Sequence, residues 1–259
     1  MIVNKNIKIM YNIISLFLNG FLVFMLMGCA EPADPQNMPF SEEVNVRKTV
    51  LAHIQNMKTE DFRKAFLKAA NRSHQAEVEV RALDEAGNEI GRDVRTHLHT
   101  PKKSRKVLKS NQRGIFKDEA EQSPLAPDTS FAELFLPDEN TLRSIPYLEK
   151  YLMRRLEDRV LPFGTVQVFE MAANPRSRTT PEITQIRYFV TAKDQKLVGV
   201  ETKRTVNNLL FAEQSYGTLY LQPIADVWLP VHAQFTLLSK TLFLSPQNLS
   251  IRYRYGFAG

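Results

Sequence analysis

Alternation of apolar and polar residues, with a period of two, constrains the fold of this chain more than any other feature of its sequence. Val78 and Val80 alternate with charged residues before a turn-like segment at 84–88, and residues 90–98 alternate in the same way. Successive side chains of a strand point to opposite faces of a sheet, so this pattern predicts an antiparallel hairpin with one buried face. A further strand is expected through Val107 and Leu108.

From residue 164 onward the same rhythm recurs in six segments. In the last segment Tyr253 and Tyr255 lie on one face, with Arg252 and Arg254 on the other. Short joints between consecutive segments favour an antiparallel meander. The predicted strands are Gly164–Met171, Ile183–Thr191, Leu197–Val206, Leu210–Leu221, Val227–Leu238 and Ser250–Phe257.

Helical spacing occurs in three places. Apolar residues recur at helical intervals over 44–57, after Ser41 as a candidate cap, and over 62–69, after Thr59. A third helix is expected over Pro146–Arg159, because proline is favoured in the first turn of a helix. The chain is therefore expected to be an α+β protein, mainly antiparallel β.

The N-terminus has the three parts of a secretory signal peptide. Lys5 and Lys8 precede an apolar run that ends at Cys29, the only cysteine, and no acidic residue occurs before Glu31. Two other interpretations remain. One is a retained membrane helix over 10–27, which two asparagines and a glycine interrupt, and the other is an ordinary cleavable signal followed by a buried cysteine.

The tetrad Leu26-Met27-Gly28-Cys29 resembles the lipobox of bacterial lipoproteins. The resemblance implies that the Cys29 thiol receives a diacylglycerol, that the chain is cut between Gly28 and Cys29, and that the new amino group is acylated. Ala30 stands where an aspartate would resemble an inner-membrane retention signal. We therefore expect a protein that acylated Cys29 anchors in the outer membrane, facing the periplasm.

These boundaries predict a signal peptide at 1–28, a lipidated, proline-rich tether at 29–42 and a single domain at 43–259. With Cys29 acylated, no thiol remains for an internal disulfide, so the core alone must hold the domain together. The mature chain carries a charge of +4, from 32 basic and 28 acidic residues. This modest charge and the predicted export argue against nucleic acid as a partner.

The C-terminal strands carry an ordered series of motifs: Tyr188-Phe189-Val190, Leu197-Val198-Gly199-Val200, Leu209-Leu210-Phe211-Ala212-Glu213-Gln214-Ser215, Val227-Trp228-Leu229-Pro230 and Tyr253-Arg254-Tyr255-Gly256-Phe257. This series is similar to the lipoprotein-sorting superfamily, typified by the periplasmic lipoprotein carrier and its outer-membrane lipoprotein receptor. The resemblance covers residues 44–257 and implies an incomplete (half) β-barrel curved around a few helices.

The resemblance also implies a cavity for acyl chains, or an envelope protein that has kept the fold for another task. Apolar residues of the predicted strands are the candidates for its lining: Val78, Val80, Ile186, Tyr188, Val198, Val200, Phe235 and Leu237. The alternative is that these side chains form an ordinary close-packed core.

No catalytic signature stands out in the sequence. A nucleophile elbow, a His-Glu-x-x-His zinc helix and a glycine-rich phosphate loop are all missing, so we expect no enzyme activity, metal or cofactor. His97 and His99 share one face of a predicted strand, but no further ligand lies nearby in sequence. An exposed polar face is therefore the favoured interpretation, and His232 is interpreted as structural.

A basic cluster follows the predicted hairpin: Lys102, Lys103, Arg105, Lys106, Lys109 and Arg113. Such a cluster is suited to contact anionic phospholipid headgroups or lipopolysaccharide phosphates. The alternative, which we favour, is a solvated strand edge on which lysines oppose edge-to-edge pairing.

Anchor, fold and missing catalytic motifs together favour a non-enzymatic envelope lipoprotein that binds or transfers an apolar ligand. That ligand would be a lipid or the acylated end of another lipoprotein. The alternative is an accessory subunit of an envelope assembly or transport machine, which docks a protein partner and holds no lipid.

Replacing the sole cysteine tests the anchor. Cys29→Ala removes the thiol that would accept the diacylglycerol, so we expect the variant to lose acylation and either to remain an uncleaved precursor or to leave the membrane. Fatty-acid labelling and membrane fractionation would measure both effects. A processed Cys29→Ala protein that is retained in the membrane as well as the wild type would contradict the prediction.

Overall fold

Ten antiparallel strands form one continuous sheet in the part of the chain that the computed structural model describes. The described residues are 48–54, 59–101, 106–117, 140–141, 144–207, 211–241 and 247–257. Helices α1 (48–54), α2 (Thr59–Ala70) and α3 (Ile145–Leu148) accompany the strands. The strands are β1 (His74–Leu83), β2 (Glu89–His99), β3 (Lys106–Gly114), β4 (Tyr151–Leu161), β5 (Gly164–Ala173), β6 (Ile183–Thr191), β7 (Leu197–Asn207), β8 (Phe211–Ile224), β9 (Val227–Thr241) and β10 (Gln247–Phe257).

All described residues belong to one compact unit, Pro32–Gly259. The predicted signal peptide, the tether, and Gly28 and Cys29 with them lie outside the described residues. Within the described ranges, no helix is long and apolar enough to cross a bilayer.

The pairing of β1 with β10 joins two parts of the chain into the sheet. β1, β2 and β3 pair in chain order, and β5 to β10 form the predicted meander, to which β4 adds a further strand. β1 lies antiparallel to β10 along its whole length, from His74 opposite Phe257 to Leu83 opposite Asn248. The strand order β3-β2-β1-β10-β9-β8-β7-β6-β5-β4 leaves β3 and β4 at the edges, so the sheet formed by the described residues is not closed.

One side of the sheet, which we call the core face, carries the main apolar cluster. Ile54 of α1 and Phe62 and Phe66 of α2 are buried in this cluster together with apolar side chains of the sheet. The helix α2 contacts β9 and β7, and the ring of His53 in α1 stacks on Phe169 of β5 with the centroids 4.7 Å apart. The four-residue spacing of Phe62 and Phe66 places both rings on one side of α2, as predicted.

A smaller apolar cluster lies on the opposite side of the sheet, which we call the outer face. It consists of Val166 and Val168 of β5, Phe189 of β6 and Val198 of β7. A shift of register between β6 and β7 leaves Val198 as an extra residue without a partner on β6. Val198 therefore packs in the outer cluster, whereas Val200 belongs to the core face.

The structure confirms the predicted strands, although several are longer than predicted. β8 and β9 extend to Ile224 and from Val227, joined by a two-residue turn at Ala225 and Asp226. Both turn residues have positive φ, 46° and 63°, as a tight hairpin turn of right-handed twist requires. A joint was predicted in the region of Pro223, but β8 continues past this residue and the turn follows it. The segment lacks the Asn-Gly or Asp-Gly pair that usually marks such a turn.

The predicted helix over Pro146–Arg159 is wrong beyond its first turn. The helix α3 ends at Leu148, and β4 begins at Tyr151 and pairs with β5. Tyr151 and Met153 are both buried in the main apolar cluster. Burial of these alternate side chains on one face stabilises an extended backbone at these positions. Apolar residues at this spacing fit either conformation, and the long-range pairing with β5 decides between them.

Gly114 is a position where a larger residue should destabilise the sheet. Its φ of 62° lies in the left-handed region, and a Cβ atom there would lie 2.1 Å from the carbonyl oxygen of Ile90. We expect Gly114→Ala to lower the free energy of unfolding by about 2 kcal/mol or more, because strain and a backbone clash act together. Urea denaturation would measure the loss.

Gly87→Ala is the matched control for this variant. Gly87 also has a positive φ, 87°, but a Cβ atom there would meet nothing within 4 Å, so only the backbone strain applies. Equal losses in Gly87→Ala and Gly114→Ala would contradict the role of the contact with Ile90.

Candidate functional site

Apolar side chains form rows across the core face. Directly opposite residues of antiparallel neighbours share a face, so the pairing places Val80 of β1, Ile251 of β10 and Phe235 of β9 in one row. The adjacent row crosses seven strands and holds only apolar or aromatic side chains, all of them buried: Val78, Tyr253, Ala233, Leu219, Val200, Tyr188 and Phe169.

Seven of the eight residues predicted to line a cavity lie on this core face. Four of them are buried: Val78, Ile186, Tyr188 and Val200. Three are partly exposed: Val80, Phe235 and Leu237. The eighth, Val198, lies in the outer cluster because of the register shift between β6 and β7. The structure thus brings the other seven predicted residues together on one apolar surface, of which one part is buried and the other is partly exposed to solvent.

One polar atom lies unpaired inside the seven-strand row. The hydroxyl of Tyr188 is buried and has no hydrogen-bond partner in the part of the chain that the structure describes. By contrast, the hydroxyl of the neighbouring Tyr151 donates to the carbonyl oxygen of Ile183 at 2.9 Å. Burial raises the pKa of Tyr188 well above its ordinary value, so this hydroxyl keeps its proton and can act as a donor. An unpaired buried hydroxyl costs free energy, so an acceptor atom placed beside it would be stabilised.

Charged side chains and a histidine occupy the β2 end of the core face. The register of β1 and β2 places Asp93, Arg95 and His97 on this face, and all three are buried. An Arg95 nitrogen lies 2.7 Å from the carboxylate of Asp93, to which Gln112 also donates at 3.2 Å. The expected exposed face is therefore wrong for His97, which is 2% exposed. Alternation alone separates two faces but does not say which of them is buried.

A buried glutamate connects the strands on the other half of the outer face. The carboxylate of Glu170 in β5 accepts hydrogen bonds from Arg154 at 2.6 Å, Gln185 at 2.5 Å and Arg187 at 2.7 Å. Burial alone would raise the pKa of Glu170, but the hydrogen bonds and charges of Arg187 and Arg154 outweigh it and hold the pKa below its ordinary value. Arg187 also lies 3.5 Å from Glu201 of β7, so ion pairs cross four strands.

The described half of the predicted basic cluster lies on β3. Lys106, Lys109 and Arg113 are exposed there, whereas residues 102–105 lie outside the described residues. Lys109 and Arg113 line a cleft of about 260 Å³ on the outer face of β1, β2 and β3. Arg92 of β2 lines the same cleft and was missed as a site residue. Alternate residues of a strand share a face, so the two-residue spacing of Arg92 from Val94 would have placed Arg92 on the outer face.

A second cleft, of about 410 Å³, is lined by Lys48, Thr49, Ala52 and His53 of α1. None of the residues that line these two clefts belongs to the apolar rows of the core face. The clefts therefore do not account for the apolar surface described above.

Neutralising Glu170 should destabilise the fold in a pH-dependent way. Because the folded-state pKa of this carboxyl is depressed, its contribution is present above the ordinary pKa of 4.5 and is lost as pH falls through the folded-state pKa. We expect Glu170→Gln to lower the free energy of unfolding by about 2 kcal/mol at pH 7 and by less at pH 3, because pH 3 lies below the ordinary pKa of this carboxyl. Denaturant titrations at both pH values would measure this.

Glu182→Gln is the control for the loss of one carboxylate. Glu182 is mostly exposed and pairs with Arg204 at 2.9 Å, so its removal should cost less than about 1 kcal/mol at either pH. A loss of the same size at pH 7 and pH 3 in Glu170→Gln would contradict the prediction.

Several solved structures are similar to this chain. One is described as a LolA superfamily protein from Nitrosomonas europaea, with 10% identity, a TM-score of 0.24 and coverage of 83% of this chain and 94% of that chain. Another, from Vibrio parahaemolyticus, is described as an outer membrane lipoprotein-sorting protein domain, with 12% identity, a TM-score of 0.29 and coverage of 82% and 93%. A DUF1329 family protein from Desulfovibrio piger has 7% identity, a TM-score of 0.27 and coverage of 82% and 93%.

No protein-family model matches the chain, and no curated protein matches it. The names of these solved structures include the LolA superfamily and an outer membrane lipoprotein-sorting domain, which is the superfamily that the sequence motifs resemble. TM-scores below 0.5 establish neither the family of this chain nor what it binds.

Proposed function

We propose that this chain is a non-enzymatic envelope protein that binds an apolar ligand on the core face of its sheet. The ligand is a lipid or the acylated end of another lipoprotein. In this proposal the sheet forms an incomplete barrel curved around α1 and α2, and acylated Cys29 anchors it in the outer membrane, facing the periplasm. The charged N-terminus, the apolar run and the lipobox-like tetrad support the anchor.

The observation that carries the proposal is the seven-strand apolar row with the unpaired hydroxyl of Tyr188. Strands lie ~4.8 Å apart, so a row across seven of them spans roughly 29 Å. That is about twice the ~15 Å that one acyl chain occupies in half of a bilayer core. A carboxyl or ester oxygen of an acyl ligand would accept the hydrogen bond that Tyr188 can donate.

The partly exposed side chains mark the place where such a ligand would enter. Val80, Ile251 and Phe235 lie side by side in one row and pack against the buried cluster. Leu237 follows Phe235 on the same face of β9, since alternate residues of a strand share a face. Contiguous apolar side chains that are only partly covered are typical of ligand-binding surfaces.

The second candidate is an accessory subunit of an envelope assembly, which docks a protein partner and holds no lipid. It is favoured by the complete burial of Tyr188, Val200 and Leu219, because a close-packed core needs no ligand. The two candidates differ in one measurable property, the uptake of an apolar ligand.

Uptake of a fluorescent fatty acid by the full chain carrying Cys29→Ser tests the proposal, since this variant cannot carry acyl chains of its own. Leu237→Gln and Leu238→Gln are a matched pair on adjacent residues of β9. Leu237 faces the core side, whereas Leu238 is 37% exposed on the other side. We expect Leu237→Gln to weaken uptake about fivefold and Leu238→Gln to change it less than twofold, because only the first loses roughly 1 kcal/mol of apolar contact with the ligand.

Native mass spectrometry would show whether lipid co-purifies with the Cys29→Ser protein, and thermal melting would verify that both leucine variants are folded. No co-purifying lipid together with no uptake would exclude the apolar-ligand proposal and favour the accessory subunit. Equal losses in the two leucine variants would place the probe elsewhere than on the core face.

A further inference from the structure

Three arginines stand side by side on the outer face of β1, β2 and β3. The register places Arg81 directly opposite Arg92, and Arg92 directly opposite Arg113. Like charges at directly opposite positions destabilise a sheet unless counter-charges relieve them. Glu79 lies 2.7 Å from Arg81 and 2.5 Å from Arg92, and Glu89 lies 3.0 Å from Arg113. Two carboxylates therefore form ion pairs with three guanidinium groups, so one positive charge of this row is not balanced.

The neighbouring positions add to this positive excess. Arg252 of β10 shares Glu79 with the arginine row, at 3.4 Å, and Arg254 pairs with Glu77 at 3.0 Å. Lys109 on β3 has no ion-pair partner within the described ranges. The side chains named so far are six basic groups and three carboxylates of the described residues: Arg81, Arg92, Arg113, Arg252, Arg254 and Lys109 against Glu77, Glu79 and Glu89.

These charges surround a cleft whose size and lining suit a small anion. The cleft of about 260 Å³ lies on the outer face of β1, β2 and β3. It is lined by Arg92 and Arg113, which are directly opposite each other, and by Thr96 and Lys109, which are directly opposite each other four residues further along β2. Asn111 and Val94 lie between these pairs on the two strands. Glu77 of β1 also lines the cleft, and Arg254, 3.0 Å away, balances the charge of its carboxylate. Guanidinium groups donate paired hydrogen bonds to phosphate oxygens, and the threonine hydroxyl and the asparagine amide add neutral donors.

We propose that this cleft binds a phosphate group, with Arg92 and Arg113 donating to its oxygens and Lys109 supplying a third positive charge. A phosphate ester carries about one to two negative charges at neutral pH, which the excess of positive charge on this surface is large enough to balance. Two sources present this group: a lipid headgroup in the membrane and a soluble phosphate ester. The cleft lies on the side of the sheet opposite the apolar rows, so its occupancy does not depend on fatty-acid binding.

Calorimetric titration of the full chain carrying Cys29→Ser, kept in a neutral detergent, tests the proposal with two probes. One probe is glycerol 3-phosphate, and the other is phosphatidylglycerol added to the detergent micelles. Lys109→Gln should weaken binding about fivefold, whereas Lys109→Arg should retain it. The matched control is Lys203→Gln, which removes another exposed outer-face lysine that has no ion-pair partner within the described ranges, and it should change binding less than twofold.

Each result decides the proposal. A loss in Lys109→Gln but not in Lys203→Gln supports the cleft, and the probe that shows it identifies the source as a soluble ester or a lipid headgroup. Equal losses in both variants would overturn it, because net charge would then cause the attraction, and so would no binding of either probe. Failure of fatty-acid uptake concerns the core face alone and leaves this result unchanged.

Discussion

The pairing of β1 with β10 is the contact on which the rest of the sheet depends. It brings together residues far apart in sequence, and Arg254 donates to Glu77 across a separation of 177 residues. Closing so long a loop costs chain entropy. This cost is offset by ten paired positions, by the apolar contacts of Val78 within its row and by the ion pair between Glu79 and Arg252. Without this pairing, β1–β3 and the meander β4–β10 would be separate sheets, each with one more open edge.

The two faces of the sheet divide the chemistry of the protein. On the core face, the hydroxyl of Tyr188 lies unpaired among the described residues of the seven-strand row and is a candidate contact for an acyl ligand. On the outer face, Glu170 and Glu79 are buried, yet neighbouring arginines hold the pKa of each carboxyl below its ordinary value. These carboxylates therefore remain charged at neutral pH. Around Glu79 the arginines outnumber the carboxylates, and that imbalance is what makes the cleft beside Arg92 a candidate phosphate site.

Much of the fold could be predicted from the sequence, since strands and their faces follow from local alternation. The failures occurred where two arrangements fit the same local pattern. Residues from Tyr151 onward fit a helix until pairing with β5 is known, and His97 lies on an alternating strand whose buried side the pattern does not identify. Val198 was placed with Val200 because an extra residue in β7 has no local signature. The basic stretch was recognised, but Arg92 joins it only across the β2–β3 pairing.

The sequence by itself determined where all the strands except β4 lie, which side chains alternate along them and where a lipid anchor is expected, because each of these depends on residues close together in the chain. The tertiary structure alone decided which strands are neighbours, which face is buried and how Arg81, Arg92 and Arg113 come to lie in one row. The register between strands is a property of the whole sheet: a shift by one residue would exchange the apolar and the charged faces, and only burial and ion pairing summed over the sheet select between them.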